Sequence, residues 1–201
     1  MRLGIACLPG LLMALALAGC DRQKGQAPQG GAPAAPGAPA AANAAAPAQR
    51  YPTGRLDRSH AGTPAPAVAF EDPQGRPVNL SVFRGRPLLV NLWATWCGPC
   101  VVEMPSLDRL AAREGEALQV VAISQDAAGR QKVSDFFAAR DFDRLEPYLD
   151  GAMDLMVALR LDTLPTTILF DAEGNEVWRM TGMAEWGDER TLRLLREAGG
   201  T

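Results

Sequence analysis

Pro87-Leu88-Leu89-Val90-Asn91-Leu92-Trp93-Ala94-Thr95-Trp96-Cys97-Gly98-Pro99-Cys100 is the stretch that decides the fold. Its first half is an apolar run and reads as a buried strand. The residues that follow, Val101 to Leu110, have helical spacing. A Cys-x-x-Cys pair at a strand-to-helix junction reads as a redox site. Two thiols three positions apart in a first helical turn can close a small disulfide ring. The first of them sits where unpaired backbone N–H groups and the helix dipole favour an anion. That placement lowers a thiol pKa from its ordinary value of ~8.5. Gly98 lets the backbone turn, and Pro99 has no N–H to lose in a first turn.

Two blander uses of the pair are weaker. A zinc site needs four ligands. The mature chain offers only Cys20 and the lone His60 besides this pair, both distant and in a low-complexity segment. A purely structural disulfide across so short a loop would constrain the unfolded chain little. His60 reads as a solvated linker residue, and no metal is expected.

The stretch Trp93 to Cys100 resembles the active site of thioredoxin-fold proteins. Glu103-Met104-Pro105 shortly after it resembles the membrane-tethered TlpA/ResA group. The similarity runs from about Ala65 to the C-terminus.

The chain has 201 residues, a net charge of -3 and 47% hydrophobic residues, the last inflated by alanine outside the core. The mild charge and the lack of a basic stripe give no sign of nucleic-acid binding. Met1 to Gly19 reads as an export signal, with Arg2 as its charged start and an apolar run from Ile5 to Ala18. That run is short for a bilayer, which needs ~20 apolar residues. Cys7 lies inside it and leaves with it. Leu17-Ala18-Gly19-Cys20 resembles a bacterial lipobox, which implies lipidation of Cys20 and a lipid membrane as one partner. Asp21 follows, a residue that in enteric bacteria commonly retains lipoproteins at the inner membrane. Residues 20–61 are mostly Ala, Pro, Gly and Gln and read as a flexible tether. Some 40 such residues span ~35 Å on average. With Cys20 lipidated, Cys97 and Cys100 are the only thiols left, and a lone pair in an oxidising envelope reads as a catalyst.

The remainder, 62–201, reads as one α/β domain. Val68 to Leu80 is a hairpin around Asp72-Pro73-Gln74-Gly75. Leu118 to Ile123 is a second buried strand, and residues 130–140 form a helix with Val133, Phe136 and Phe137 inward. Residues 145–149 form a weak strand or loop, and Met153 to Leu159 a short helix. Thr166 to Phe170 and Glu176 to Met180 pair as antiparallel strands. Glu189 to Ala198 is a closing amphipathic helix. Alternating helices and strands argue for an α/β layer fold. The resemblance implies a thioredoxin fold with an added N-terminal hairpin and with a helix and strand inserted between core strands. Trp186 reads as core packing.

Cys97 is the candidate nucleophile and Cys100 the resolving thiol. The resemblance implies a cis proline at Leu164-Pro165-Thr166 facing the thiols. It implies that Trp96, Gly98 and Pro99, with Leu164 and Pro165, form the surface that docks a partner's extended chain. Asn91 stands where thioredoxins commonly carry a buried aspartate. Glu103 falls one turn beyond Cys100 on the same helical face, where TlpA/ResA-like proteins use a glutamate near the thiols. The bland reading of Glu103 is a solvated first-turn acid favoured by the dipole.

The resemblance implies a membrane-anchored, periplasm-facing reductase of protein disulfides, acting in cytochrome c maturation or copper-site assembly of cytochrome oxidase. A membrane thiol donor of the DsbD/CcdA type would supply its electrons, and no bound cofactor is expected. The alternatives are a disulfide oxidase or isomerase, distinguished by redox poise, and a copper(I)-binding assembly module, since soft thiolates suit that ion.

Overall fold

Leu88 to Trp93 are all buried, so the strand is covered on both faces. The computed structural model that shows this describes residues 54–199. The export signal, Cys7, Cys20 and the low-complexity stretch up to residue 53 lie outside the described residues.

In chain order the elements are β1 (Arg55–Asp57), β2 (Phe70–Glu71), β3 (Pro77–Val78), β4 (Leu88–Trp93), α1 (Gly98–Glu114), β5 (Gln119–Ser124), α2 (Arg130–Ala138), β6 (Tyr148–Leu149), α3 (Asp154–Ala158), β7 (Thr166–Phe170), β8 (Glu176–Thr181) and α4 (Glu189–Leu195). One eight-stranded sheet has the order β1-β8-β7-β4-β5-β6-β2-β3. β4 runs parallel to β5 and antiparallel to β7. The order β4-α1-β5-α2-β7-β8-α4, with β6 and α3 inserted, is the α/β arrangement expected.

Alternation along β4 divides the core. Leu89 and Trp93 join one cluster with Met104, Leu107 and Leu110 of α1, Val133 and Phe136 of α2, and Leu194 and Leu195 of α4. Leu88, Val90 and Leu92 join the other, with Phe70, Leu80, and Leu155 of α3. By parity Asn91 shares the face that α1 covers. Helix α1 runs unbroken through Pro105, which lies on its exposed side.

The linker was expected to run to residue 61, but Arg55–Asp57 already pairs with Thr181, Met180 and Arg179 of β8. Leu56 packs against the first core cluster. A three-residue strand shows no period of its own, and an edge partner supplies the order that its composition does not. The hairpin strands β2 and β3 are shorter than expected. They extend the main sheet through a bridge from Glu71 to Leu149. The closing helix is α-helical only to Leu195 and finishes as a 3₁₀ turn, Arg196–Gly199.

Registers align four strand ends at one pole. Thr166 lies opposite Leu92 and also opposite Thr181, which lies opposite Arg55. The residues just past those rungs are therefore neighbours: Gly54, Gly182, Pro165 and the segment after Trp93. The approach is close, since a Cβ on Gly54 would lie 2.7 Å from the Gly182 carbonyl oxygen. Gly182 itself has φ of 94°, a region that disfavours other residues.

A buried ion pair ties this side of the sheet together. Arg179 donates through Nε and Nη2 to the two carboxylate oxygens of Glu176, each at 2.6 Å, and through Nη1 to the Leu159 carbonyl at 2.9 Å. The Glu176 backbone pairs in turn with Gly62 and Thr63. Arg179→Met would strand a buried carboxylate and should cost about 3–5 kcal/mol. The double variant Glu176→Leu/Arg179→Met should recover most of that loss. Urea midpoints of the parent and both variants check this; a double variant as weak as the single would contradict it.

Candidate active site

β4 delivers its chain end to the thiols through Ala94, Thr95 and Trp96. Cys97 is not the first helical residue but the N-cap of α1, in extended conformation. Its N–H donates to the Ala94 carbonyl at 3.1 Å, and its Sγ accepts the Cys100 N–H at 3.4 Å. Pro99 occupies the first turn, where its missing donor costs nothing. Cys97 and Cys100 are joined as a disulfide with Cα atoms 5.3 Å apart. Cys97 is 7% exposed and Cys100 is fully buried. A partner can therefore reach only the outer sulfur. Trp96, Gly98 and Pro99 are exposed around it.

The Leu164–Pro165 peptide is cis. Pro165 is buried, and its carbonyl accepts the Gly182 N–H at 2.8 Å. It lies one residue before the Thr166–Leu92 rung, next to the strand end that carries Cys97.

Glu103 is 2% exposed, so the solvated reading fails. Three groups, one on β4 and two on the loop after β8, donate to its carboxylate. Asn91 Nδ2 reaches Oε1 at 2.7 Å, the Ala184 N–H reaches Oε2 at 3.0 Å, and Trp186 Nε1 reaches Oε2 at 3.4 Å. Asn91 Nδ2 also donates to Thr167 Oγ1 at 2.9 Å, while Asn91 Oδ1 has no hydrogen-bond partner among the described residues. Trp186 is fully buried as expected. Its indole also has a polar task, and its backbone N–H donates to Ser106 Oγ at 3.2 Å.

A model of the Redoxin family matches residues 60–194, more than half of the chain. The chain belongs to the redoxin family. It is similar to the thiol-disulfide oxidoreductase ResA of Geobacillus kaustophilus, 30% identical over 67% of this chain and 78% of that one. The Bacillus subtilis ResA is 29% identical over 60% of this chain and 67% of its own. Among solved structures, one described as a thiol:disulfide interchange protein DsbE from Chlorobium tepidum superposes with a TM-score of 0.62. It is 26% identical and covers 70% of this chain and 98% of that one. This redoxin is a thiol–disulfide oxidoreductase with a thioredoxin-like fold, and the Cys-x-x-Cys pair is its redox centre.

A cleft lined by Pro87, Arg113, Leu118, Leu192 and Leu195 lies at the other end of β4 and touches none of the residues above. Among the described residues no three of His, Cys, Asp and Glu are grouped to hold a metal ion. His60 is half-buried in the turn after β1 rather than in a linker.

Sequence reasoning missed the donors Ala184 and Trp186, since neither residue type nor spacing relates them to Glu103. It also missed Asp126, whose carboxylate accepts the Thr95 N–H at 2.8 Å. No local pattern links those two strand ends.

Burial is the main influence on Glu103 and pushes its pKa from 4.5 up to about 7, against the pull of its three hydrogen bonds. Between those values the folded chain keeps a proton that the unfolded chain has released. The stabilisation linked to that proton is complete below pH 4.5 and is lost as pH rises through about 7. Glu103→Gln removes the titration. Relative to that variant, the parent should lose about 3 kcal/mol across this window. Urea unfolding of the disulfide form at pH 4.5 and pH 8 measures it, and parallel pH dependence would contradict it.

Proposed function

We propose that this redoxin is a lipid-anchored, periplasm-facing reductase of protein disulfides. The observation that carries the reading is the pairing of an outer sulfur at a helix N-terminus with a buried carboxyl one turn beyond the inner sulfur. The reductive half of the cycle uses only the two thiols and Glu103. The Cys97 thiolate attacks one sulfur of a partner disulfide. That bond breaks, a mixed disulfide forms, and the partner's other sulfur leaves as a thiolate and is protonated. Cys100 gives its proton to Glu103 and attacks Cys97 Sγ. The mixed disulfide breaks, the partner leaves with two thiols, and the enzyme keeps the Cys97–Cys100 disulfide. A dithiol donor of the DsbD/CcdA type then returns two electrons and two protons.

A carboxyl titrating at about 7 suits the proton transfer, because it is both a usable base and a usable acid at neutral pH. The exposed ring of Trp96 and the loop at Leu164 and Pro165 would seat the partner's extended chain beside Cys97. The resemblance of the Cys-x-x-Cys and Glu103-Met104-Pro105 motifs to TlpA/ResA-like proteins makes cytochrome c maturation or copper-site assembly the proposed pathway.

Cys100→Ser should accumulate mixed disulfides through Cys97, because attack proceeds and resolution does not. Trapping by Cys97→Ser through Cys100 instead would reverse the roles. The parent's reduction potential should lie nearer to thioredoxin's ~-270 mV than to the ~-120 mV of a strong oxidant. A value at the oxidising end would make the chain an oxidase.

Anchoring has a separate test. Cys20→Ser should move the protein from the membrane to the soluble fraction and leave disulfide exchange unchanged. Equal membrane retention of parent and variant would refute the lipid anchor.

A further inference from the structure

Asp126 lies two residues past the end of β5, and its side chain is completely buried. It accepts three short hydrogen bonds: from Thr95 N–H to Oδ2 at 2.8 Å, from Thr95 Oγ1 to Oδ1 at 2.7 Å, and from Ser124 Oγ to Oδ2 at 2.7 Å. Lys132 Nζ of α2 stands 3.8 Å from Oδ1 and supplies partial charge balance. An acid that only capped its own loop would bond locally. Two of these three bonds instead cross to a residue 31 positions earlier in the chain.

The place of those bonds is informative. The parallel ladder between β4 and β5 ends at the Trp93–Ser124 rung, followed by the Gln125 N–H donating to the Trp93 carbonyl. Beyond that point the Thr95 N–H has no strand carbonyl to meet. The Asp126 carboxylate takes the place of one and adds a rung made by a side chain. Thr95 is two residues before Cys97, and the intervening turn is closed by the Cys97 N–H on the Ala94 carbonyl. The segment that presents the attacking sulfur is thus clamped at its root.

We propose that Asp126 is a positioning residue for Cys97: it holds Thr95 so that the Cys97 sulfur stays over the first-turn amides of α1. The favourable field of a helix N-terminus falls off within a turn. A loop free to shift would lose part of the stabilisation of the thiolate, so the clamp sets how much thiolate exists at neutral pH. The proposal rests on Cys97 being the attacking thiol.

The test separates position from charge. Asp126→Asn and Asp126→Ala both remove the negative charge, but only Asn keeps an acceptor for the Thr95 N–H. Iodoacetamide alkylation of Cys97 in the reduced full chain is followed across pH by mass spectrometry of the Cys97 peptide. The Asn variant should titrate at the parent's midpoint or below it, since a nearby negative charge has gone. The Ala variant should titrate higher and react about three-fold more slowly than the Asn variant at pH 7, within what a helix N-terminus contributes to an anion. Thr95→Val, which keeps the N–H bond and loses the hydroxyl bond, is measured alongside and should shift in the Ala direction by less. It carries the test alone if the Ala variant does not fold. Overlaying profiles for Asn and Ala, or for Thr95→Val and parent, overturn the proposal. A parent in which Cys97 shows no pH-dependent alkylation would instead overturn the assignment of Cys97.

Discussion

A strand buried on both faces must be covered on both faces, and that constraint organises this molecule. Leu88–Trp93 draws α1, α2 and α4 to one side and α3 with the hairpin residues to the other. Parallel pairing with β5 obliges the chain to cross over, and α1 is that crossover. The end of β4 and the start of α1 are then forced together. A helix N-terminus, with its unpaired amides, arrives where the strand stops. Cys97 occupies that corner.

The same packing makes polar groups beside the thiols unusually consequential. Asn91 and Glu103 face each other between β4 and α1, away from water. In such a place a carboxyl titrates near neutrality because its charged form is poorly solvated, even with three donors aimed at it. Asn91 contributes a donor there and cannot itself ionise. The loop after β8 contributes the other two donors, and its Gly182 also holds the Pro165 carbonyl. One short loop therefore touches both the acid and the proline beside the redox pair.

A second buried acid, Asp126, stands on the β5 side and serves a different end. Its hydrogen bonds go to the backbone and hydroxyl that precede Cys97 rather than to groups behind Cys100. In the reading proposed above the two carboxyls divide the work by position, Glu103 exchanging a proton and Asp126 holding a loop. Hydrogen-bond partners make this distinction, because residue type alone does not.

Sequence by itself determined the central strand, the Cys-x-x-Cys corner, the α/β order and the candidate roles of Cys97 and Cys100, and it placed Glu103 on the Cys100 face of the helix without deciding between a buried and a solvated acid. These are legible because they are local: an apolar run, a spacing of three and a helical face are written in neighbouring residues. Tertiary structure decided the rest. Arg55–Asp57 became a strand because β8 offered an edge, and three residues are too few to show a strand period. Glu103 became buried because the loop carrying Ala184 and Trp186, 81 and 83 positions further on, closed over it. Leu164–Pro165 is cis in the folded chain, where sequence alone permits either isomer. Asp126 met Thr95 only once two parallel strands had set their register. Contacts between distant segments depend on register and burial, and neither is encoded in any single stretch of the chain.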